Sequence, residues 1–324
     1  MSEARQMKPL KRLSYSIQSG VLQAVVAMSR LVGIDRASAA GGWVGRRLVA
    51  PLQRENRTVK QTLAQAFPEK SEAERAEIAA GMWENLGRVA AELGHLDRLE
   101  ADELSRRVRI IGREHLDQAV ARGTGLIVIS GHFANWELGL PLFAKLFGMR
   151  AAIVMRPPNN PGVARWIEAT RDGAGAAEQI EKGPAGLRRM FATLRRGDAV
   201  MMLVDQHFAQ GIPVPFFGRP TMTTSAPAML ARKVGVPLVG FGFRRTEGAY
   251  FELEFFPEFE VPRTDNADRD AAVTTAAVNA AFESVIRRAP SQWLWGHARW
   301  RETDGVTRRA QRAAGVVGQS EAGR

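Results

Sequence analysis

Five short apolar runs, at 108–111, 126–130, 151–155, 199–204 and 236–243, are separated by stretches with the length and periodicity of helices. The runs are rich in Val, Ile and Leu and too short for buried helices, so they read as strands, and the alternation predicts an α/β fold: a central sheet flanked by helices. Tyr250 to Phe256 alternates in the manner of a half-exposed strand, which makes the expected sheet mixed, though mostly parallel. Val273 to Ile286 reads as a last helix. Ligands of open α/β sheets bind outside the carboxyl ends of the strands, so chemistry is to be sought in the residues that follow each run.

The sheet pattern begins only near Val108, and what precedes it is helical. Val59, Leu63 and Phe67 form an apolar stripe before Pro68, and Ser71 with Glu74 makes a capping box. Ile78, Met82, Leu86, Val89 and Leu93 continue an apolar face, with Trp83 and His95 as packing residues. From Ile17 to Ile34 runs a helical stretch whose apolar centre, Val21 to Met28, falls short of the roughly 20 residues a membrane span needs. It reads as a helix lying in the membrane interface or a marginal span, an ordinary packing helix being the alternative. The expected organisation is a membrane-associating segment at 1–50, a helical annex at 51–105, an α/β core at 106–301 and a loose tail at 302–324.

The net charge of +11 is uneven: residues 1–60 hold 11 Lys and Arg against 3 Asp and Glu. A basic surface fits anionic lipid or an acidic protein partner, and no nucleic-acid module pattern accompanies it. There is no cysteine, which excludes disulfides, thiolate zinc sites and a cysteine nucleophile.

The run 126–130 leads into Gly131-His-Phe-Ala-Asn-Trp-Glu137. With Phe133 to Phe147 expected as a helix, His132 stands at a strand-to-helix turn. Residues five apart lie about 140° apart around a helix, so His132 and Glu137 could meet only if the histidine precedes it and folds back. Glu137 would then fix the tautomer of the ring and leave the other nitrogen free to take a proton, beside helix N–H groups suited to an anion. After the third run, Arg156-Pro-Pro-Asn-Asn-Pro161 is a stiff turn projecting an arginine able to grip a phosphate or carboxylate, and Arg171 is a second such candidate. Asp205 and His207 follow the fourth run, but a third metal ligand is not evident, and no metal is expected. Thr223, Thr224 and Ser225 open another helix; Phe216 and Phe217 line either a groove or the core. Trp293, Trp295 and Trp300 form either a membrane-interface belt or the lid of a core. Ser130 lacks the glycine two residues before it that a nucleophile elbow requires, and no dinucleotide fingerprint or P-loop appears.

In joint order, Phe67-Pro68, the Gly131–Glu137 stretch, Arg156-Pro-Pro-Asn-Asn-Pro161, Asp205-Gln206, Val214-Pro-Phe-Phe-Gly218 and Trp293-Leu-Trp-Gly-His297 resemble the bacterial lipid A late acyltransferases, within the larger glycerolipid acyltransferase superfamily. The resemblance covers roughly residues 15–300. It implies His132 and Glu137 as the catalytic pair, and Arg156, Asn160, Arg171, Asp205, Gly131 and Gly218 as substrate-binding positions. It also implies a fatty acyl thioester of acyl carrier protein as donor, a hydroxyl of a phosphorylated glycolipid as acceptor, no cofactor, and work at the cytoplasmic face of the bacterial inner membrane among its lipids. The expected mechanism is direct transfer, with His132 as general base, Glu137 orienting it, and backbone N–H groups near Gly131, with Arg156, holding the oxyanion. The alternatives are another lipid acceptor or acyl-CoA as donor, and a non-catalytic membrane-binding protein that reuses the fold.

Overall fold

The computed structural model describes residues 9–301, so the expected tail at 302–324 lies outside the described residues, as do residues 1–8. A seven-stranded sheet runs in the order β1 (Val108–Ile111), β9 (Tyr250–Phe255), β8 (Leu238–Glu247), β2 (Leu126–Ser130), β5 (Ala199–Leu203), β3 (Ala151–Met155) and β4 (Glu178–Glu181). Strands β8, β2, β5, β3 and β4 are mutually parallel, while β9 pairs antiparallel with β8, and β1 follows β9. The mixed α/β sheet is thus present, with all five apolar runs in it. Strand β2, central and wholly buried, is the continuous apolar run such a position demands. β9 is mostly buried rather than half-exposed, because it lies inside the sheet between β1 and β8. The short, polar β4 closes one edge; its Glu-Gln-Ile-Glu sequence carries no apolar run to announce it.

A separate hairpin, β6 (Ile212–Phe216) and β7 (Arg219–Thr223), turns on Phe217 and Gly218. Both have positive φ, 50° and 68°, the geometry a two-residue hairpin turn imposes. Thr223 therefore ends a strand rather than opening a helix, and the next helix, Ala226–Val234, starts after Ser225.

The Pro9–Val32 helix ends at Gly33, and Ile34–Val44 follows as a second helix. The Glu72–Glu92 helix begins with the expected capping box: the Ser71 hydroxyl accepts from the Glu74 amide and the Glu74 carboxylate accepts from the Ser71 amide. It crosses Ile34–Val44 so closely that a Cβ at Gly87 would lie 2.1 Å from the carbonyl oxygen of Gly41. Among the described residues no helix is long and apolar enough to cross a membrane. Among the described residues, nine of the sixteen exposed large apolar side chains nevertheless fall between Ile17 and Leu52, Leu31 and Leu52 being 86% and 83% exposed. This concentration sets the first helices apart from the rest of the surface.

Trp293, Trp295 and Trp300 are all buried, Trp293 and Trp295 with ring centroids 4.6 Å apart and Trp295 against Phe67. They form the lid of a core, and Phe216 and Phe217 pack into the same aromatic cluster. Trp83 packs against the core from the annex. His95 is buried as well, with Nε2 unpartnered. Desolvation, then repulsion by Arg30, lowers its pKa below the usual 6.5, with the backbone of Ser29 pulling the other way. The unfolded chain therefore takes up this proton first as pH falls, so stability is lost below about pH 6.5 and unaffected above it. Urea midpoints should drop between pH 7.5 and pH 5, and drop less in His95→Leu; an equal drop in both would assign the acid sensitivity to other groups.

Candidate functional site

Register explains why residues 73 apart in sequence meet. In the parallel pairing of β2 with β5, Ser130 lies opposite Leu203, and the Val204 amide continues the ladder to the Ser130 carbonyl at 3.0 Å. Two residues beyond the strand ends, His132 and Asp205 then stand side by side. His132 Nδ1 lies 2.8 Å from Asp205 Oδ1, and the His132 backbone N–H donates to Oδ2 at 2.7 Å. The indole N–H of Trp293 also donates to Oδ2, at 2.7 Å. Burial alone would raise the pKa of this carboxyl, but the charge of His132, its two hydrogen bonds and that of Trp293 overcome desolvation and hold it at about 2. Asp205 is thus an anion throughout the neutral range. It fixes Nδ1 as the protonated nitrogen of a neutral His132 and leaves the Nε2 lone pair outward. Gly131 is required for this approach: a Cβ there would meet the Phe133 ring at 2.7 Å and Asp205 Oδ2 at 3.0 Å.

The structure does not give His132 the partner expected from the His-x4-Glu spacing. Glu137 is turned to Arg171 of the Pro161–Gly173 helix, which grips it with Nη2 at 2.7 Å and Nε at 3.1 Å. The expected Phe133–Phe147 helix is also absent as a single element. Residues 131–135 are loop, Trp136–Leu138 is a 3₁₀ turn, and Leu142–Leu146 is a π turn after one α turn at Gly139–Pro141. Pro141 lacks the N–H that a continuous helix would need at that point. Glu137 reaches the histidine only through Trp136, whose indole N–H donates to it at 3.2 Å and whose ring packs edge-on against His132, centroids 5.1 Å apart.

Nor are the backbone amides after Gly131 free to hold an oxyanion. That of His132 binds Asp205, that of Phe133 the Gly131 carbonyl at 2.8 Å, and that of Ala134 the Gln292 carbonyl at 2.7 Å. Ala134 pays for this pinning with a φ of 43°, a strained value for a residue with a side chain.

The remaining expected site residues separate. Arg156 is exposed at the end of β3. Asn160 is buried as the N-cap of Pro161–Gly173, accepting from Gly162 and Ser19 and donating to Tyr15 and Gln18, so its amide is engaged in joining that helix to Pro9–Val32. Gly218 serves the hairpin turn. Two residues not singled out from sequence do enter the site. The Gln206 amide nitrogen lies 3.2 Å from His132 Nε2 and 2.9 Å from His297 Nε2. A conspicuous signal was available only in the Asp205-Gln206 and Trp-Gly-His297 motifs, which say nothing of which atoms meet.

Beneath the loop lies a second buried charge. Glu92, on the annex helix and fully buried, accepts from Ser38 Oγ at 2.5 Å, Asn135 Nδ2 at 2.7 Å and the two terminal nitrogens of Arg245 at 2.5 and 3.0 Å. Arg245 Nε donates to Asn85, whose own amide donates to the Ala134 carbonyl at 3.0 Å. The annex thereby holds both Ala134 and Asn135. On the sheet side, an apolar pocket lined by Val128, Leu140, Ile153, Met155, Met201 and Phe241 has Trp136, Glu137 and Arg171 in its wall.

In comparison with known proteins, the family described as bacterial lipid A biosynthesis acyltransferase matches residues 4–302. The chain is 29% identical over 267 residues to a lipid A biosynthesis lauroyltransferase of Escherichia coli, covering 81% of this chain and 84% of that one. It is 28% identical over 254 residues to the palmitoleoyltransferase of the same pathway in that organism, covering 77% and 80%. A phosphatidylinositol mannoside acyltransferase of Mycobacterium tuberculosis is 26% identical over 235 residues, covering 70% and 72%.

Glu92→Ala would leave the Arg245 guanidinium buried without its carboxylate, a change that costs about 3–5 kcal/mol in comparable buried pairs. A denaturant titration should show a loss of that order. A loss under about 1 kcal/mol would mean that the Ala134 and Asn135 loop does not depend on the annex charge.

Proposed function

This chain belongs to the bacterial lipid A biosynthesis acyltransferase family and is an acyltransferase, and from that premise we propose that it moves a fatty acyl chain from the thioester of acyl carrier protein to a hydroxyl of a phosphorylated lipid A precursor. The observation that carries the reading is the His132–Asp205 pair, with Nδ1 held by a buried anion and Nε2 directed away from it. His132 acts as general base: Nε2 takes the proton of the acceptor hydroxyl as its oxygen attacks the thioester carbonyl. The C–O bond forms, the C–S bond breaks, and the proton passes on to the departing thiolate. Asp205 stabilises the imidazolium formed in between. Neither step requires a covalent acyl-enzyme or a cofactor.

Glu137 and Arg171 neutralise each other in the wall of the apolar pocket, and Glu137 positions His132 by way of the Trp136 indole. The pocket, with methionine and aliphatic side chains, suits the first part of an acyl chain. Arg156, exposed at the strand end, suits an acceptor phosphate, while acyl carrier protein suits the basic surface. The exposed apolar side chains between Ile17 and Leu52 support attachment to the inner membrane from its cytoplasmic face, with the first helices lying in the interface. Likeness to a phosphatidylinositol mannoside acyltransferase favours one second reading, transfer to a different glycolipid.

The test is to incubate purified protein in detergent with a set of acyl carrier protein and CoA thioesters and either a tetra-acylated lipid A precursor or a mannosylated phosphatidylinositol, and to read product mass. A gain of one acyl group on the lipid A precursor is expected, and His132→Ala should lower turnover by about 10² to 10⁴-fold with its melting curve unchanged. Transfer only to the other acceptor would favour the second reading, and wild-type turnover by folded His132→Ala would refute the base.

A further inference from the structure

The charge that develops on the thioester carbonyl oxygen needs a donor; of those expected, the loop amides at 132–134 are engaged and Arg156 stands exposed at the end of β3. The amides of His132, Phe133 and Ala134 have partners within the fold, and Arg171 is committed to Glu137 at two atoms. Arg299, fully buried, is spread over the carbonyls of Gln206 and Met222, the hydroxyls of Thr221 and Thr223 and the side chain of Asn279. Among the described residues, the side-chain N–H that meets the outward lone pair of His132 belongs to Gln206.

Its orientation follows from chemistry. Because Asp205 fixes the His132 proton on Nδ1, Nε2 is an acceptor, so the group facing it must be the amide NH₂ and not the amide oxygen. That nitrogen has two hydrogens, and the second points to His297 Nε2 at 2.9 Å, which makes that nitrogen an acceptor too. One amide is thus held between two imidazole lone pairs. Below it, Arg299 Nη1 binds the Gln206 carbonyl at 3.3 Å and ties the peptide to the β6–β7 hairpin.

We infer that Gln206 is a catalytic residue whose side-chain N–H binds the carbonyl oxygen of the acyl thioester as it becomes an oxyanion, with His297 as the positioning residue that keeps the amide in place. In the resting site this N–H occupies the lone pair of the base. The acceptor hydroxyl takes over that lone pair when it binds, and the released N–H, still anchored through its other hydrogen to His297, lies within about 3 Å of the position the attacked carbonyl oxygen takes up. The base is thereby guarded until acceptor arrives, and the oxyanion donor becomes available at the same moment. This inference rests on the acyl-transfer reading and adds to it the identity of the oxyanion donor.

The experiment measures steady-state transfer by full-length wild type, Gln206→Ala, Gln206→Glu, His297→Leu and His297→Asn, using an acyl carrier protein thioester and the tetra-acylated precursor, with melting curves for each. Gln206→Glu keeps the size and shape of the side chain but removes both N–H donors, so it tests the role even where Gln206→Ala folds poorly. Loss of about 10² to 10³-fold in kcat for both Gln206 variants, with acceptor KM within about threefold of wild type, is expected of an oxyanion donor. His297→Leu should lose about tenfold in kcat, and His297→Asn, whose side-chain oxygen can accept the amide hydrogen, should recover most of it. A folded Gln206 variant with kcat within about threefold of wild type, or one that changes only KM, overturns the inference while leaving acyl transfer intact. Absence of transfer by wild type on every donor and acceptor overturns the acyl-transfer reading and this inference with it.

Discussion

The site depends on one buried carboxylate. Asp205 is cut off from water and would be costly as an unpaired anion, yet three donors converge on it, two from His132 and one from Trp293. The donors come from two parts of the architecture: the backbone and ring of His132 in the loop after β2, and the aromatic segment that follows the last helix. Satisfying the charge therefore fixes the tautomer of His132, the conformation of its loop and the seat of the tryptophan cluster together. Removing any one donor would leave the buried charge less well compensated, at a cost to the whole arrangement.

A second buried charge does corresponding work on the other side of the loop. Glu92 and Arg245 lie almost entirely out of solvent, and their hydrogen bonds reach Asn135 directly and Ala134 through Asn85. The helical annex is thereby more than a support for the sheet. It clamps the peptide next to His132 in a backbone conformation that an isolated loop would leave. The exposed apolar side chains between Ile17 and Leu52 lie mostly on the helices before the annex, and Ile34–Val44 packs directly on Glu72–Glu92 where Gly41 meets Gly87.

Much of the sheet was legible because buried strands leave a simple mark: five apolar runs, each bounded by polar turns, are five of its seven strands. Residues Glu178–Glu181 left no such mark because an edge strand need not be apolar. His132 was legible as a candidate from its place after the central strand, but the partner of its ring was not. Spacing along the chain suggested Glu137, since sequence shows local distances and hides register. The pairing of Ser130 with Leu203 is what brings Asp205 to the ring, and that pairing is fixed by the packing of whole strands. Asn160 illustrates the converse: its motif marks it, but its amide caps the Pro161–Gly173 helix and joins it to the Pro9–Val32 helix. Gln206 and His297 could not be placed from sequence at all, being 91 residues apart and joined only through the folded site.

The central claim is that Asp205, rather than Glu137, is the carboxylate that tunes the base. The most direct measurement is kcat/KM for acyl transfer in Asp205→Asn and Glu137→Gln beside wild type, with melting curves for each. Because Asp205 and not Glu137 holds Nδ1 of His132, Asp205→Asn should lose about 10² to 10⁴-fold and Glu137→Gln much less, both remaining folded. A folded Asp205→Asn that keeps its rate while Glu137→Gln loses it would contradict the account.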